Sequence, residues 1–299
     1  MKFHAMNAPT MRSKLFVPGS RPELFAKALA SQTDAVSIDL EDSVLDSRKA
    51  EARATVRTLL LSPEIRSTGK TIIVRVNALH TQHFAADVMA VAQPGLALLN
   101  LPKAESCDDI HAAIAMLERA EAANGVTTPV RVLANIETPK GLQFAAQIAC
   151  AHPRVAGLQI GYVDLFGSLG IDRQDAANVH AAMFAVRTAA GSAGIFAYDG
   201  AFTNVQDAAG FRAEAQMACR LGYWGKSCIH PSQIAVANEV FQPGDADIAY
   251  ALRVIEASNE AAARGVGAFM LDGKVIEGPV VRRAEAVVAI SRQVGGNRE

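Results

Sequence analysis

Three observations predict an α/β fold, a (β/α)8 or TIM barrel with a C-terminal helix-hairpin-helix extension. Eight short apolar runs recur along the chain, stretches with helical character separate them, and a polar group follows nearly every run. A doubly wound open sheet is the alternative, but it would gather its polar loops around one switch point.

The expected strands are Lys14 to Val17, Ala35 to Leu40, Thr71 to Val76, Leu96 to Leu101, Val130 to Ile136, Val155 to Ile160, Gly194 to Tyr198 and Tyr223 to Ile229. Between them, Pro22 to Ser31 starts like a helix, with proline in its first turn. Phe211, Ala215 and Ala218 repeat at helical spacing within Ala208 to Leu221. Eight βα units in about 240 residues suit one barrel, assigned to residues 12–241. Beyond Phe241 the pattern changes. Asp245 to Arg264 reads as a long helix, Phe269 to Glu277 as a hairpin around Asp272-Gly273, and Val280 to Val294 as a last helix. Residues 242–299 therefore form an extension, hinged at Gln242, Pro243 and Gly244, that packs on its own barrel or on a neighbour's.

Composition narrows the function. A chain of 299 residues, 50% hydrophobic with mean hydropathy +0.15, buries a large core. A formal net charge of −1 gives no global field for nucleic acid or an anionic membrane, so small-molecule chemistry is favoured. Cys107, Cys150, Cys219 and Cys228 lie far apart, with no C-x-x-C pair to make a zinc knuckle or redox motif. The first residues lack the apolar core of a signal peptide, and no run is long enough to span a bilayer; a soluble, cytoplasmic protein is expected.

Two acids carry the chemical argument. Glu137 closes the run Val130 to Ile136, and Asp164 follows Val155 to Ile160. In a parallel barrel the carboxyl ends of the strands converge, so these two could meet a hard cation such as Mg2+, which takes few protein carboxylates and keeps positions for water and substrate oxygens. Helix caps or loop acids are the plain alternative. Arg75, at the end of the third strand, calls for either an ion pair with Glu41 or Asp42 or a substrate anion; both can hold together. Asp39, Glu41 and Asp42 form a second acidic cluster. Arg21 and Lys27 follow the first strand where a phosphate group could sit, although isolated cations usually just coat a helix. His230 is read as structural, Asp199 and Lys103 as groups that fix a loop or support the site's acids from behind, and Gly161, Gly167 and Gly170 as positions of special backbone geometry.

These stretches resemble the citrate lyase β-subunit-like family, within the HpcH/HpaI aldolases and the malyl-CoA or citramalyl-CoA lyases. The likeness rests on Leu15 to Leu29 (LFVPGSRPELFAKAL), Asp39 to Val44 (DLEDSV), Val74 to Asn77 (VRVN), Leu101 to Ser106 (LPKAES), Ile136 to Gly141 (IETPKG), Gly161 to Gly170 (GYVDLFGSLG), Asp199 to Phe202 (DGAF) and Gly225 to Ile234 (GKSCIHPSQI). Each motif alone is weak, but eight in order are specific. The resemblance implies a (β/α)8 barrel assembled as a trimer or dimer of trimers, with Mg2+ held by Glu137 and Asp164. It implies acyl-CoA and 2-keto acid ligands contacted by Phe16, Arg21, Lys27 and Arg75, and a carbon–carbon lyase of the retro-Claisen or aldol type. Citryl-, malyl- and citramalyl-CoA are the thioesters expected. Two positions depart from the family pattern: Val163 stands where an acid commonly precedes the metal-binding Asp, and Glu277 stands where several members carry an Asp in the tail hairpin. Arg75 and Glu277 are the catalytic candidates, Glu277 as acid or base supplied by its own or an adjacent subunit. A metal-dependent aldolase on free hydroxy-keto acids is the alternative enzyme. A non-catalytic subunit that binds acyl-CoA or an acyl carrier is the alternative of another class.

Overall fold

The structure is a computed structural model that describes residues 11–296. Most of the amino-terminal segment read above as lacking a signal peptide, residues 1–10, lies outside the described residues. Eight parallel strands, β1 (Ser13–Pro18), β2 (Ala35–Asp39), β3 (Thr71–Arg75), β4 (Leu98–Leu101), β5 (Arg131–Ile136), β6 (Val155–Ile160), β7 (Phe196–Ala201) and β8 (Lys226–Cys228), close into a barrel in sequence order. The predicted (β/α)8 architecture is what forms.

The helices that cover the barrel are α1 (Phe25–Ala30), α2 (Lys49–Leu61), α3 (Pro63–Ser67), α4 (Phe84–Val91), α5 (Cys107–Asn124), α6 (Pro139–Gln143), α7 (Ala145–Cys150), α8 (Tyr162–Leu169), α9 (Ala176–Ser192), α10 (Ala208–Arg220) and α11 (Ser232–Val240). Local chemistry starts and stops them. Ser106 caps α5 by accepting from Asp109 N at 3.1 Å, and Gly125 ends it in the left-handed region at φ 68°. Thr138 caps α6, with Pro139 in its first turn. That cap directly follows Glu137, so β5 ends and the next helix begins with Glu137 fixed between them.

Two apolar layers fill this architecture. Outward-facing strand residues such as Val36, Ile38, Val74, Leu99 and Leu158 pack against the helices. The barrel floor is filled by Met11, Ala35, Ile73, Leu98, Leu133, Ala156, Phe196 and Tyr198, with Trp224 packed against them and stacked on Phe196 at 4.6 Å between ring centroids. Burying each large side chain stabilises by roughly 1.5–3 kcal/mol.

Past the barrel, α12 (Asp245–Ala263), the hairpin β9 (Phe269–Leu271) and β10 (Lys274–Ile276), and α13 (Gly278–Gly296) form the expected helix-hairpin-helix. Asp272 and Gly273 take positive φ of 51° and 74° at the turn, as an Asp-Gly hairpin requires. The extension has an apolar cluster of its own: Ala251, Val254, Ile276, Ala284 and Val288.

Candidate functional site at the barrel mouth

Strand register assembles the site. Asp39 on β2 is level with Arg75 on β3, and Arg75 with Asn100 on β4. Arg75 Nε and Nη2 donate to Asp39 Oδ1 and Oδ2 at 2.7 and 2.8 Å, a two-pronged pair. Its remaining nitrogen, Nη1, lies 2.9 Å from Glu41 Oε2 and 3.3 Å from Asp42 Oδ2. The Glu41 contact is close but off hydrogen-bond direction, so Glu41 Oε2 is buried with no hydrogen-bond donor among the described residues. The Phe16 ring packs 5.4 Å from the Arg75 guanidinium. The expected ion pairs with Glu41 and Asp42 form, and Asp39 takes the fork beside them, because parallel register puts Asp39 directly beside Arg75.

Glu137 is only 3% exposed at the end of β5. Its Oε1 accepts from the backbone N–H of Lys103 at 2.8 Å, and its Oε2 is approached by Asn135 Nδ2 at 3.4 Å. Gly161 permits this placement, since a Cβ there would sit 2.4 Å from Glu137 Oε2. Lys103 holds a left-handed backbone at φ 52°, which costs a residue with a Cβ about 1–2 kcal/mol. That turn aims its N–H at Glu137 while its ammonium reaches Glu41 Oε1 at 3.0 Å and lies 4.0 Å from Asp164 Oδ2. Lys103 is expected to fix its loop or to support the site's acids from behind. It does the second with both backbone and side chain.

Asp164 enters from the first turn of α8. With Phe16, Asp39, Asp42, Arg75 and Glu137 it lines a cavity of about 440 Å³ at the carboxyl end of the strands. Ile160, Val163 and Ile229 supply apolar wall.

Charge is unevenly spread here. Burial, then the nearby Glu41, pushes the Glu137 carboxyl up to about 7. Burial also raises Glu41, against the pull of Arg75. For Asp39, burial acts upward but the Arg75 charge and its hydrogen bonds outweigh it, and the carboxyl ends below its ordinary value. Beneath the mouth, Lys14 is wholly buried; its Nζ donates to Gln159 Oε1 and lies over the rings of Phe16 and Tyr198 at 4.6 and 5.0 Å. Burial, and then the charge of Arg75, lowers Lys14 well below the usual lysine range. Sequence reading passed over Lys14, although strand alternation from Phe16 marks it as inward-facing.

Of the residues singled out from sequence, the fold brings Phe16, Arg75, Glu137 and Asp164 together in one cavity. Arg21 and Lys27 are exposed beside β1 and do not line it; Arg21 pairs with Glu23. Glu277 is exposed just after β10 and does not line the cavity of its own chain. Among the described residues no three His, Cys, Asp or Glu side chains form a closed cage. Two carboxylates opening on a cavity, one of them buried without a cation in contact, still fit a hard ion that keeps part of its water shell.

Fold and site first define a class: a (β/α)8-barrel protein whose mouth gathers carboxylates around a forked arginine. Within that class the chain belongs to the HpcH/HpaI aldolase/citrate lyase family, whose model matches residues 12–231. It is 34% identical to an L-malyl-CoA/beta-methylmalyl-CoA lyase of Cereibacter sphaeroides, over 93% of each chain. It is 35% identical to the citrate lyase subunit beta of Escherichia coli, over 97% of this chain and 96% of that one. Among solved structures, protein CitE from Mycobacterium tuberculosis, in complex with magnesium, acetoacetate and coenzyme A, superposes with a TM-score of 0.75. The two are 32% identical over 96% of this chain and 99% of the other.

Proposed function

We propose that the protein is a Mg2+-dependent carbon–carbon lyase, an oxo-acid lyase that cleaves or forms a 3-hydroxyacyl-CoA thioester such as citryl-, malyl- or citramalyl-CoA. The observation that carries this reading is Glu137, a buried carboxylate pushed to about 7 and facing the same cavity as Asp164 and Arg75. Glu137 and Asp164 would hold the metal, which when bound supplies Lewis-acid polarisation of the substrate's oxygens. The magnesium, acetoacetate and coenzyme A of the M. tuberculosis relative support the same ligand classes here.

The chain's own residues divide the remaining work. Arg75 is held from behind by Asp39, so its Nη1 is the edge on which a substrate carboxylate competes with the exposed Asp42. Phe16, Ile160 and Ile229 keep water from the reacting carbons. In cleavage, a base takes the proton of the 3-hydroxyl, the adjacent carbon–carbon bond breaks, and a 2-keto acid leaves a thioester enolate that is then protonated at carbon. Fixed donors facing that enolate contribute about 3–4 kcal/mol each. Glu277 is the proton-transfer group, and because it lies outside its own chain's cavity it is supplied by a neighbouring subunit of a homo-oligomer, a trimer or dimer of trimers. Residues 12–241 form the catalytic unit, and 242–299 is the part that reaches across. Arg21 and Lys27 hold the coenzyme A diphosphate above β1.

Assay of the purified protein with Mg2+ and a panel of malyl, citramalyl and citryl thioesters, alongside the free hydroxy acids, tests this reading. Turnover of at least one thioester is expected. Turnover of free acids alone would make it an aldolase, and binding without turnover a non-catalytic subunit. Glu277→Gln should lower kcat by about 100-fold with substrate binding retained. Mixing it with Glu137→Gln should restore part of the activity if subunits share sites.

A further inference from the structure

Behind the mouth, five side chains form a closed circuit. The Tyr162 hydroxyl donates to Asp199 Oδ1 at 2.6 Å, and Asp199 Oδ2 accepts from Lys226 Nζ at 2.6 Å. Lys226 Nζ also donates to Glu214 Oε1 at 2.7 Å. Glu214 takes the fork of Arg173 at 2.7 and 2.8 Å, and the Arg173 guanidinium lies 4.2 Å from the Tyr162 ring, closing the circuit. Asp199 and Lys226 come from neighbouring strands β7 and β8, and Glu214 from α10 on the outside. All are buried except Arg173, which is partly so.

The two remaining members bracket one short helix. Tyr162 is the first residue of α8, and Arg173 lies three residues beyond its left-handed cap, Gly170. Asp164 sits between them. Its side chain makes no hydrogen bond among the described residues, its nearest cation being Lys103 at 4.0 Å, so its place in the cavity depends on where α8 is held. Replacing buried ion clusters with apolar side chains is often neutral or stabilising, so general cohesion gives this circuit little reason to be ionic. A directional hold on α8 does.

We propose that the circuit of Tyr162, Asp199, Lys226, Glu214 and Arg173 is a positioning device that clamps both ends of α8 and so sets the reach of Asp164 toward a divalent cation. The inference rests on the reading of Glu137 and Asp164 as the metal ligands. Its members are positioning residues: they act on metal retention through Asp164, not on the reacting atoms.

The test is Mn2+ binding to the purified protein without substrate, followed by electron paramagnetic resonance of the free ion. Tyr162→Phe deletes one hydroxyl and keeps the ring under Arg173; it should weaken Mn2+ by about 10-fold, the lower end for partners that orient metal ligands. Arg173→Lys, a conservative change at the half-exposed end, should weaken it less, and kcat at saturating Mn2+ should stay near wild type in both. Arg154→Gln serves as control, because it breaks a comparable partly buried ion pair with Glu121 on a different part of the barrel. It should lower Tm and leave Mn2+ affinity unchanged. Equal Mn2+ affinity in wild type and Tyr162→Phe, with Glu137→Gln defective, would overturn the clamp and leave the metal site standing. Wild-type affinity in Asp164→Asn would overturn the metal reading and the clamp with it.

Discussion

Two ionic clusters flank α8, one open and one sealed, and they are built on opposite accounts of charge. At the mouth, Asp39, Glu41, Asp42, Glu137 and Asp164 share, among the described residues, the cations Arg75 and Lys103, while Lys14 lies beneath them. Behind it, Asp199 and Glu214 face Lys226 and Arg173, charge for charge. Proximity to opposite charge has different results in the two places. In the sealed cluster burial alone would raise Glu214, yet Lys226 and Arg173 bring it below its ordinary value, while burial keeps Asp199, with Lys226 alone as its cation, above its own. In the open one, Glu137 has no such partner and rises to about 7. A balanced, buried set suits the holding of geometry; an unbalanced set beside a cavity suits the cation proposed above.

The sharpest way to break this contrast is to remove the unbalanced charge. Glu137→Gln is expected to cost more than about 100-fold in Mn2+ affinity, beyond the usual effect of a group outside the metal's direct contacts, with the metal-free fold no less stable. Titration calorimetry and a melting curve check both halves. Retained affinity would place Glu137 among the structural acids.

Next comes Arg75→Lys, which keeps the charge but loses the fork. A drop on the order of 100-fold in kcat/KM is expected, because an ammonium cannot hold Asp39 at two points and still present an edge to substrate. If most activity survives, Arg75 belongs with the sealed cluster in kind.

A smaller effect comes from pH. Glu137 rises from an ordinary 4.5 to about 7, so between those values the folded protein holds a proton that the unfolded chain has released. Its contribution to stability therefore falls as pH rises through that window, by on the order of 3 kcal/mol, and levels off above pH 7. Metal must displace the same proton, so Mn2+ affinity should fall by about tenfold per pH unit well below pH 7, and Glu137→Gln should flatten that slope.

The smallest effect on turnover is expected in the sealed cluster. Glu214→Gln should leave kcat at saturating metal within about twofold while lowering Tm, since it strands Lys226 and Arg173 beside one carboxylate. A large fall in kcat there would erase the distinction between the clusters.

The strands were legible because most are apolar, often β-branched runs of strand length set between helical stretches, and so was the tail hairpin, through Asp272-Gly273. Boundaries moved where turns intrude: β4 begins at Leu98 rather than Leu96, and β7 runs on to Ala201 through the register shift after Asp199. Glu137 and Asp164 were visible as acids at strand ends. The partnership of Asp39 with Arg75 was not, because it depends on the stagger of neighbouring strands, which no local pattern encodes. Lys226 was hidden inside the run Tyr223 to Ile229, its ionic partners lying on elements distant in sequence. Glu277 was legible as a hairpin residue, but the tail's local pattern carries no information on which cavity that hairpin meets.

Lys14 gives the mouth one more property, which concerns where its countercharge sits. Burial disfavours its charged form, so the floor of the barrel sets less countercharge beneath the carboxylates than a lysine in water would. The countercharge at the mouth then falls to Arg75 and Lys103 on the walls above, and the Phe16 ring packs against both the Arg75 guanidinium and the amine below.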